Sequence, residues 1–150
     1  MRFIAHRGNI NGPNTDLENN PRYIIQAIEK GFDVEIDVWK TDALYLGHDG
    51  PDHKIELKFL LNHKDHLWCH AKNIKSLEFL IDQGLNTFWH QTDDFTITSD
   101  GHIWAYPGKM ANGILVMPEN IFDTEFLIKN EDNIKGICSD FIKQYKDFLV

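Results

Sequence analysis

Two histidines, an arginine and a group of carboxylates stand where apolar, strand-like runs of this chain end. Ile4-Ala5 runs into His6-Arg7-Gly8, and Leu44-Tyr45-Leu46 runs into Gly47-His48-Asp49-Gly50. Between them, Val34 to Val38 carries Glu35 and Asp37. These residue types suit acid–base chemistry on an anionic substrate beside a bound cation. Histidine exchanges protons near neutral pH. Arginine offers an anion a planar fork of donors. Paired carboxylate oxygens suit Mg²⁺ or Ca²⁺. Phe32, Val34, Ile36 and Val38 alternate with Asp33, Glu35 and Asp37, so a strand here puts Glu35 and Asp37 on one face. Two carboxylates stacked in this way repel unless a cation or a proton separates them. Taken alone, acid alternation is the pattern of a solvated strand face; the strand-end histidines around it turn the reading towards a site.

The elements that must position these groups can be read in chain order. Residues 2–5 form a first strand, and 8–18 a loop rich in Gly, Asn and Pro. Asn20-Pro21 starts a helix with Tyr23, Ile24, Ala27 and Ile28 inward, and Gly31 ends it. Residues 32–38 and 43–47 read as strands, and Lys54 to Leu61 as either a short helix or a strand. Residues 67–71 are a strand on which His70 shares a face with Lys72. Asn73 caps a helix over 74–83 with Ile74, Leu77, Leu80 and Ile81 inward. Residues 86–90 form a strand ending at His90; 95–98 and 102–106 flank the hairpin signal Ser99-Asp100-Gly101. Residues 114–117 are another apolar run, and Pro118 opens a helix to about Lys129. The last strand is 135–139, after which Asp140 reads as the cap of a helix carrying Phe141, Ile142, Tyr145, Phe148 and Leu149. His53, His63 and His66 sit in polar surroundings and read as surface residues, while Trp104 and Tyr106 suit either the core or a pocket wall.

The series His6-Arg7-Gly8, Glu18-Asn19, Glu35-x-Asp37, His48-Asp49 resembles, in order and spacing, the glycerophosphodiester phosphodiesterase family. That family belongs to a wider group of phosphatidylinositol-phospholipase-C-like phosphodiesterases, and the resemblance covers about the first third of the chain. It implies a TIM-type barrel, a divalent cation, and His6 and His48 as general acid and base, without saying which is which. It makes Glu35 and Asp37 metal ligands, Arg7 and Lys72 stabilisers of the phosphate's charge, and Glu18 part of the site floor bonded to Arg7. Trp104 is the aromatic candidate for substrate contact. The matching strand of the family carries Glu-x-Lys, with the Glu completing the metal site, where this chain has His70-x-Lys72. An imidazole is softer and neutral, so His70 as a ligand admits Mn²⁺ or Zn²⁺ in place of Mg²⁺ or Ca²⁺. Otherwise Glu35, Asp37 and waters hold the ion, as is common for Mg²⁺. The family's last strand ends in Thr-Asp-x-Pro; here Ser139-Asp140-Phe141-Ile142 lacks the proline.

Length and charge set the remaining expectations. At 150 residues the chain makes one domain with a real core. About eight short strands and some four helices are fewer helices than a full eightfold βα barrel carries, and such a barrel takes roughly 200 residues or more. The expected fold is therefore α/β: a reduced TIM-type (β/α) barrel with several helices missing or replaced by loops and hairpins, or else an open α/β sheet. A net charge of −8 argues against nucleic acid and stable membrane association as partners, but not against a small phosphodiester substrate near a cation. The two cysteines, Cys69 and Cys138, lie in apolar runs and read as buried free thiols. With no signal-peptide pattern, a cytoplasmic location is expected. The expected function is metal-dependent hydrolysis of a glycerophosphodiester or similar small phosphodiester. Its alternatives are a non-catalytic relative that binds phosphate esters, and an enzyme for another phosphodiester such as a lysophospholipid.

Overall fold

Strand-forming runs alternate with helix caps along most of the chain, and the sheet follows from that order. The computed structural model describes residues 1–150. Its strands are β1 (Arg2–His6), β2 (Asp33–Lys40), β3 (Leu44–Leu46), β4 (His53–Ile55), β5 (Leu67–Ala71), β6 (Thr87–Phe88), β7 (Phe95–Ile97), β8 (Ile103–Ala105), β9 (Gly113–Val116) and β10 (Ile134–Ser139). The α-helices are α1 (Pro21–Glu29), α2 (Leu57–Asn62), α3 (Ile74–Asp82), α4 (Thr124–Lys129) and α5 (Ile142–Leu149). All ten strands join one mixed sheet. One run of neighbours reads β4-β3-β2-β1-β10-β9-β8-β7, and β5 pairs with both β2 and β6. The pairs β5–β6, β2–β5, β1–β2, β1–β10, β9–β10 and β8–β9 are parallel; β7 and the β3–β4 hairpin are antiparallel additions. No strand pairing joins β6 to β7 or β8. The two ends nevertheless touch: the Ser99 amide donates to the Thr87 carbonyl at 2.7 Å, and the Phe88 and Trp104 rings stack at 4.5 Å.

Each parallel strand buries both faces, as strands covered on two sides must. On β2, Val34, Ile36 and Val38 are fully buried in the larger core, which also holds Ile24 and Ala27 of α1, Leu80 of α3 and Ile142 of α5. On the opposite face a second core takes one residue from each of six strands: Ile4, Trp68, Phe88, Trp104, Ile114 and Cys138. The period of two that buries Ile36 one way sends Glu35 and Asp37 the other way, into this second layer. Both are buried, so the solvated-face reading of that alternation fails.

Several boundaries differ from the sequence reading. Residues 54–61 hold both alternatives in turn, the end of β4 and then α2. The strand expected over 86–90 shrinks to Thr87–Phe88. The helix expected from Pro118 to Lys129 is a single 3₁₀ turn, Pro118–Asn120, followed by α4, because the Asp123 carboxylate accepts from the Phe126 amide and starts a new helix. On α3, Ile74 and Ile81 are exposed and Ser76 is buried with Leu80. The reciprocal bonds between Asn73 and Ser76 cap the helix and satisfy the buried Ser76. Asp140 caps no helix: α5 begins at Ile142 behind Phe141, with no side-chain cap bond. Both cysteines are free and buried as expected. No helix is long and apolar enough to cross a membrane.

Candidate active site

Strand register assembles the site. In the parallel β1–β2 pair His6 lies opposite Glu35, and in β2–β5 Asp37 lies opposite His70. Partners in register project to the same side, so three neighbouring strands deliver two imidazoles and two carboxylates to one hollow. The chain leaves β1 through a tight reversal in which Arg7 and Gly8 both adopt positive φ, 54° and 92°. Only glycine fits at position 8, since a Cβ there would meet the Tyr23 ring at 2.8 Å. The Arg7 amide donates to the Glu35 carbonyl at 2.9 Å, and Asn19, also at positive φ, donates its amide to the Arg7 carbonyl at 3.1 Å.

Asp37 is the hub. Its Oδ2 accepts from Asn19 Nδ2 at 2.9 Å and pairs with Arg7 Nε at 3.1 Å, while its own amide donates to Asn19 Oδ1. Its Oδ1 faces His70 Nδ1 at 3.1 Å and Lys72 Nζ at 3.5 Å. Burial would raise the Asp37 pKa, but the contacts with His70, Arg7 and Lys72 outweigh it and hold the carboxyl well below its ordinary range. Glu35 goes the other way. Burial first, and then the charge of Asp37, push its pKa up. Arg7 Nη1 reaches back to Glu18 Oε2 at 3.1 Å, as the resemblance implies, and Glu18 Oε1 accepts from Asn9.

His6 is held through Nδ1, which lies 2.8 Å from Asp140 Oδ1; the same oxygen accepts from Asn9 Nδ2 at 2.8 Å. A carboxylate on Nδ1 fixes the ring proton there and leaves Nε2 free, 3.9 Å from Glu35 Oε2. Burial lowers the His6 pKa, but Asp140 and Glu35 overcome it and the net shift is upward. The Asp140 pKa moves down: burial opposes this, and the bond to His6 wins. His48 sits on the loop after β3 with its side chain 45 % exposed and Nδ1 at 2.7 Å from Asp49. Gly47 makes that loop possible, since a Cβ would fall 2.0 Å from the Gly50 carbonyl oxygen. Trp39 Nε1 donates to the Gly47 carbonyl and the Gly47 amide to that of Asp37, tying the loop to β2.

These groups open on a cavity of about 410 Å³. The lining combines His6, Arg7, Glu35, His48, His70 and Lys72 with an aromatic and apolar part that includes Phe88, Trp104, Tyr106 and Met117. Trp104 is almost wholly buried, so it forms wall rather than an open stacking surface. His90 borders the cavity with both ring nitrogens buried and unpartnered, and burial lowers its pKa.

Glu35 Oε2 and Asp37 Oδ1 are buried and accept no hydrogen bond. Unsatisfied buried carboxylate oxygens are costly, and a cation removes the cost. Glu35, Asp37 and His70 each offer a donor atom within 4.8 Å of the others, so the residues present fit a divalent ion.

The structure thus brings together His6, Arg7, Glu35, Asp37, His48, His70, Lys72 and Trp104, with Glu18 behind Arg7. The reading of Asp140 as a helix cap is replaced by its bond to His6. Asn9 and Asn19, both buried, lie in the Gly/Asn/Pro loop and the Glu18-Asn19 pair, and nothing local in the sequence marks their roles. Their partners Asp140 and Asp37 lie 131 and 18 residues away, beyond any local pattern. Comparison with models of known protein families, with curated proteins and with solved structures gives no match for this chain.

Proposed function

We propose that the chain is a metal-dependent phosphodiester hydrolase of glycerophosphodiester phosphodiesterase type, acting on a small phosphodiester. One observation carries this reading. A carboxylate-braced histidine, two side-chain cations, Arg7 and Lys72, and the buried carboxylates of Glu35 and Asp37, each with an oxygen that accepts no hydrogen bond, meet at or just behind a single cavity. Glu35 and Asp37, with His70, would hold the divalent ion, which when bound supplies positive charge against the phosphate oxygens. Arg7 and Lys72 hold the phosphodiester and spread the charge that grows on it as bonds change. His6 is the general base. Asp140 keeps the proton on Nδ1, so Nε2 takes the proton of the attacking oxygen as its bond to phosphorus forms. The bond to the leaving alkoxide breaks, and His48 protonates that oxygen. The attacker is water or a neighbouring hydroxyl of the substrate; the latter gives a cyclic phosphate. The aromatic wall takes the part of the substrate beyond the phosphate.

The same reading makes the sheet a pared-down barrel. Its support is the run of parallel pairs, the inner core drawn from six strands, and the contact of Phe88 with Trp104 between strands that do not pair. Cavities at the C-terminal ends of barrel strands are where such folds keep their chemistry.

A second reading, a phosphate-ester-binding protein without turnover, is favoured by His48, which is half exposed and braced only by the almost fully exposed Asp49. Hydrolysis of a chromogenic phosphodiester and of glycerophosphodiesters with Mg²⁺, Ca²⁺, Mn²⁺ and Zn²⁺ separates the two. Metal-dependent turnover that falls by about 10²–10⁴ in His6→Ala supports the hydrolase. No turnover with any ion, alongside retained binding of the ester, supports the binding protein.

A further inference from the structure

We infer that His70 is itself a ligand and makes this a nitrogen-containing site, selective for a borderline transition ion such as Zn²⁺ over Mg²⁺ and Ca²⁺. The inference rests on the cation-binding half of the proposed function and not on turnover. The backbone sets it up. His70 Nε2 lies 3.0 Å from the carbonyl oxygen of His90. A carbonyl only accepts, so Nε2 carries the ring proton, and in the neutral ring Nδ1 is a bare lone pair. Nδ1 faces Asp37 Oδ1 at 3.1 Å and Glu35 Oε1 at 3.9 Å. Three donor groups within 4.8 Å of one another, two of them deeply buried carboxylates, fit a positive centre among them, and a divalent ion takes the place of the proton that Nδ1 otherwise shares with Asp37. A ligating imidazole characteristically donates its other N–H to a carbonyl or carboxylate, which is the role of the His90 carbonyl here. The stacking of the imidazole on Phe88, 5.0 Å between centroids and 9° from parallel, fixes the ring plane as well. Mg²⁺ and Ca²⁺ prefer all-oxygen sets, whereas imidazole suits Zn²⁺ and its neighbours.

The test is direct binding to the purified full chain, by competition titration of Zn²⁺, Mn²⁺, Mg²⁺ and Ca²⁺, with pulsed EPR of the Mn²⁺-loaded protein. Zn²⁺ is expected to bind at least about 100-fold more tightly than Mg²⁺ or Ca²⁺. The Mn²⁺ signal should show coupling to an imidazole ¹⁴N. His70→Glu, which exchanges the nitrogen donor for oxygen, should remove that coupling and narrow the Zn²⁺-to-Mg²⁺ ratio by about tenfold or more. Bound Mn²⁺ without ¹⁴N coupling, or with coupling that persists in His70→Glu, overturns His70 as a ligand and leaves a carboxylate cation site standing. No binding of any divalent ion to the wild-type chain overturns this inference and the metal half of the proposed function together. Should His70→Glu not fold, the wild-type measurements decide, and a Zn²⁺-to-Mg²⁺ ratio below about tenfold refutes the selectivity.

Discussion

Asp140→Asn separates charge from geometry at the histidine that the mechanism makes its base. Oδ1 of residue 140 accepts both from His6 Nδ1 and from Asn9 Nδ2. An asparagine can present the same oxygen to both and loses only the negative charge. The bond to His6 then changes from charge-assisted to neutral. Net contributions are about 1.5–3 kcal/mol for the first kind and about 0.5–1.5 kcal/mol for the second, so the loss is about 1–1.5 kcal/mol while His6 is protonated. Neither side chain is more than 15 % exposed, so water screens the pair little. The sign of the pH dependence follows from the shifts. The folded-state pKa of His6 is raised above its ordinary 6.5. Its contribution is therefore complete below about pH 6.5 and is lost as pH rises through the raised value. Asp140, with a lowered pKa, contributes above its ordinary value and loses that contribution only as pH falls through the lowered one. Urea denaturation at pH 6 should show Asp140→Asn about 1–1.5 kcal/mol less stable than wild type, and at pH 9 much less different. In NMR titration the His6 ring should lose its proton at a lower pH in the variant. Equal destabilisation at both pH values, or an unmoved His6 titration, would refute the assignment of Asp140 as the partner that raises His6.

Other substitutions probe the remaining parts. Asp37→Ala strips the shared partner from Arg7, His70 and Lys72 and should cost about 3–5 kcal/mol, measured as a lowered urea midpoint at unchanged slope. His48→Ala should leave stability within about 0.5 kcal/mol, because the side chain is half exposed, yet reduce kcat about 10²-fold or more. Gly47→Ala drives a Cβ into the Gly50 carbonyl and should cost about 1–3 kcal/mol while moving His48; a lowered kcat that His48→Ala does not lower further would show the shared route.

The candidate site was legible because its members follow the period of two. His6 closes β1, Glu35 and Asp37 alternate with buried apolar residues within β2, His70 lies near the end of β5, and parallel register brings them side by side. Asp140 was misread because its local signal competed with the truth. An acid followed by Phe141, Ile142 and Tyr145 at helical spacing looks like a cap, and the chain gives no sign that its oxygen is taken by a histidine 134 residues earlier. The Pro118 helix was over-long for a related reason. Proline at a first helical position marks a start, but the stop lies in Ile121, whose backbone leaves helical geometry at φ −137°, and in Asp123, which caps a new helix. Ile74 and Ile81 fit a helical stripe as well as Leu80 does, and only the packing of α3 on β2, β5 and β6 decides which face turns in.

Three residues other than glycine hold positive φ in this chain: Arg7, Asn19 and Met117. All three border the cavity or the carboxylate hub behind it. Torsional strain of this kind costs about 1–3 kcal/mol per residue, less for asparagine. Glycine at position 7 would relax the backbone and erase the side chain that pairs with Asp37 and that the proposed mechanism assigns to the phosphodiester. Attempts to harden the molecule against heat will therefore meet a trade-off at this rim, where robustness and chemistry draw on the same torsions. Gains should come instead from exposed apolar residues outside the cavity lining, such as Ile97 and Ile74, which can become polar without touching either.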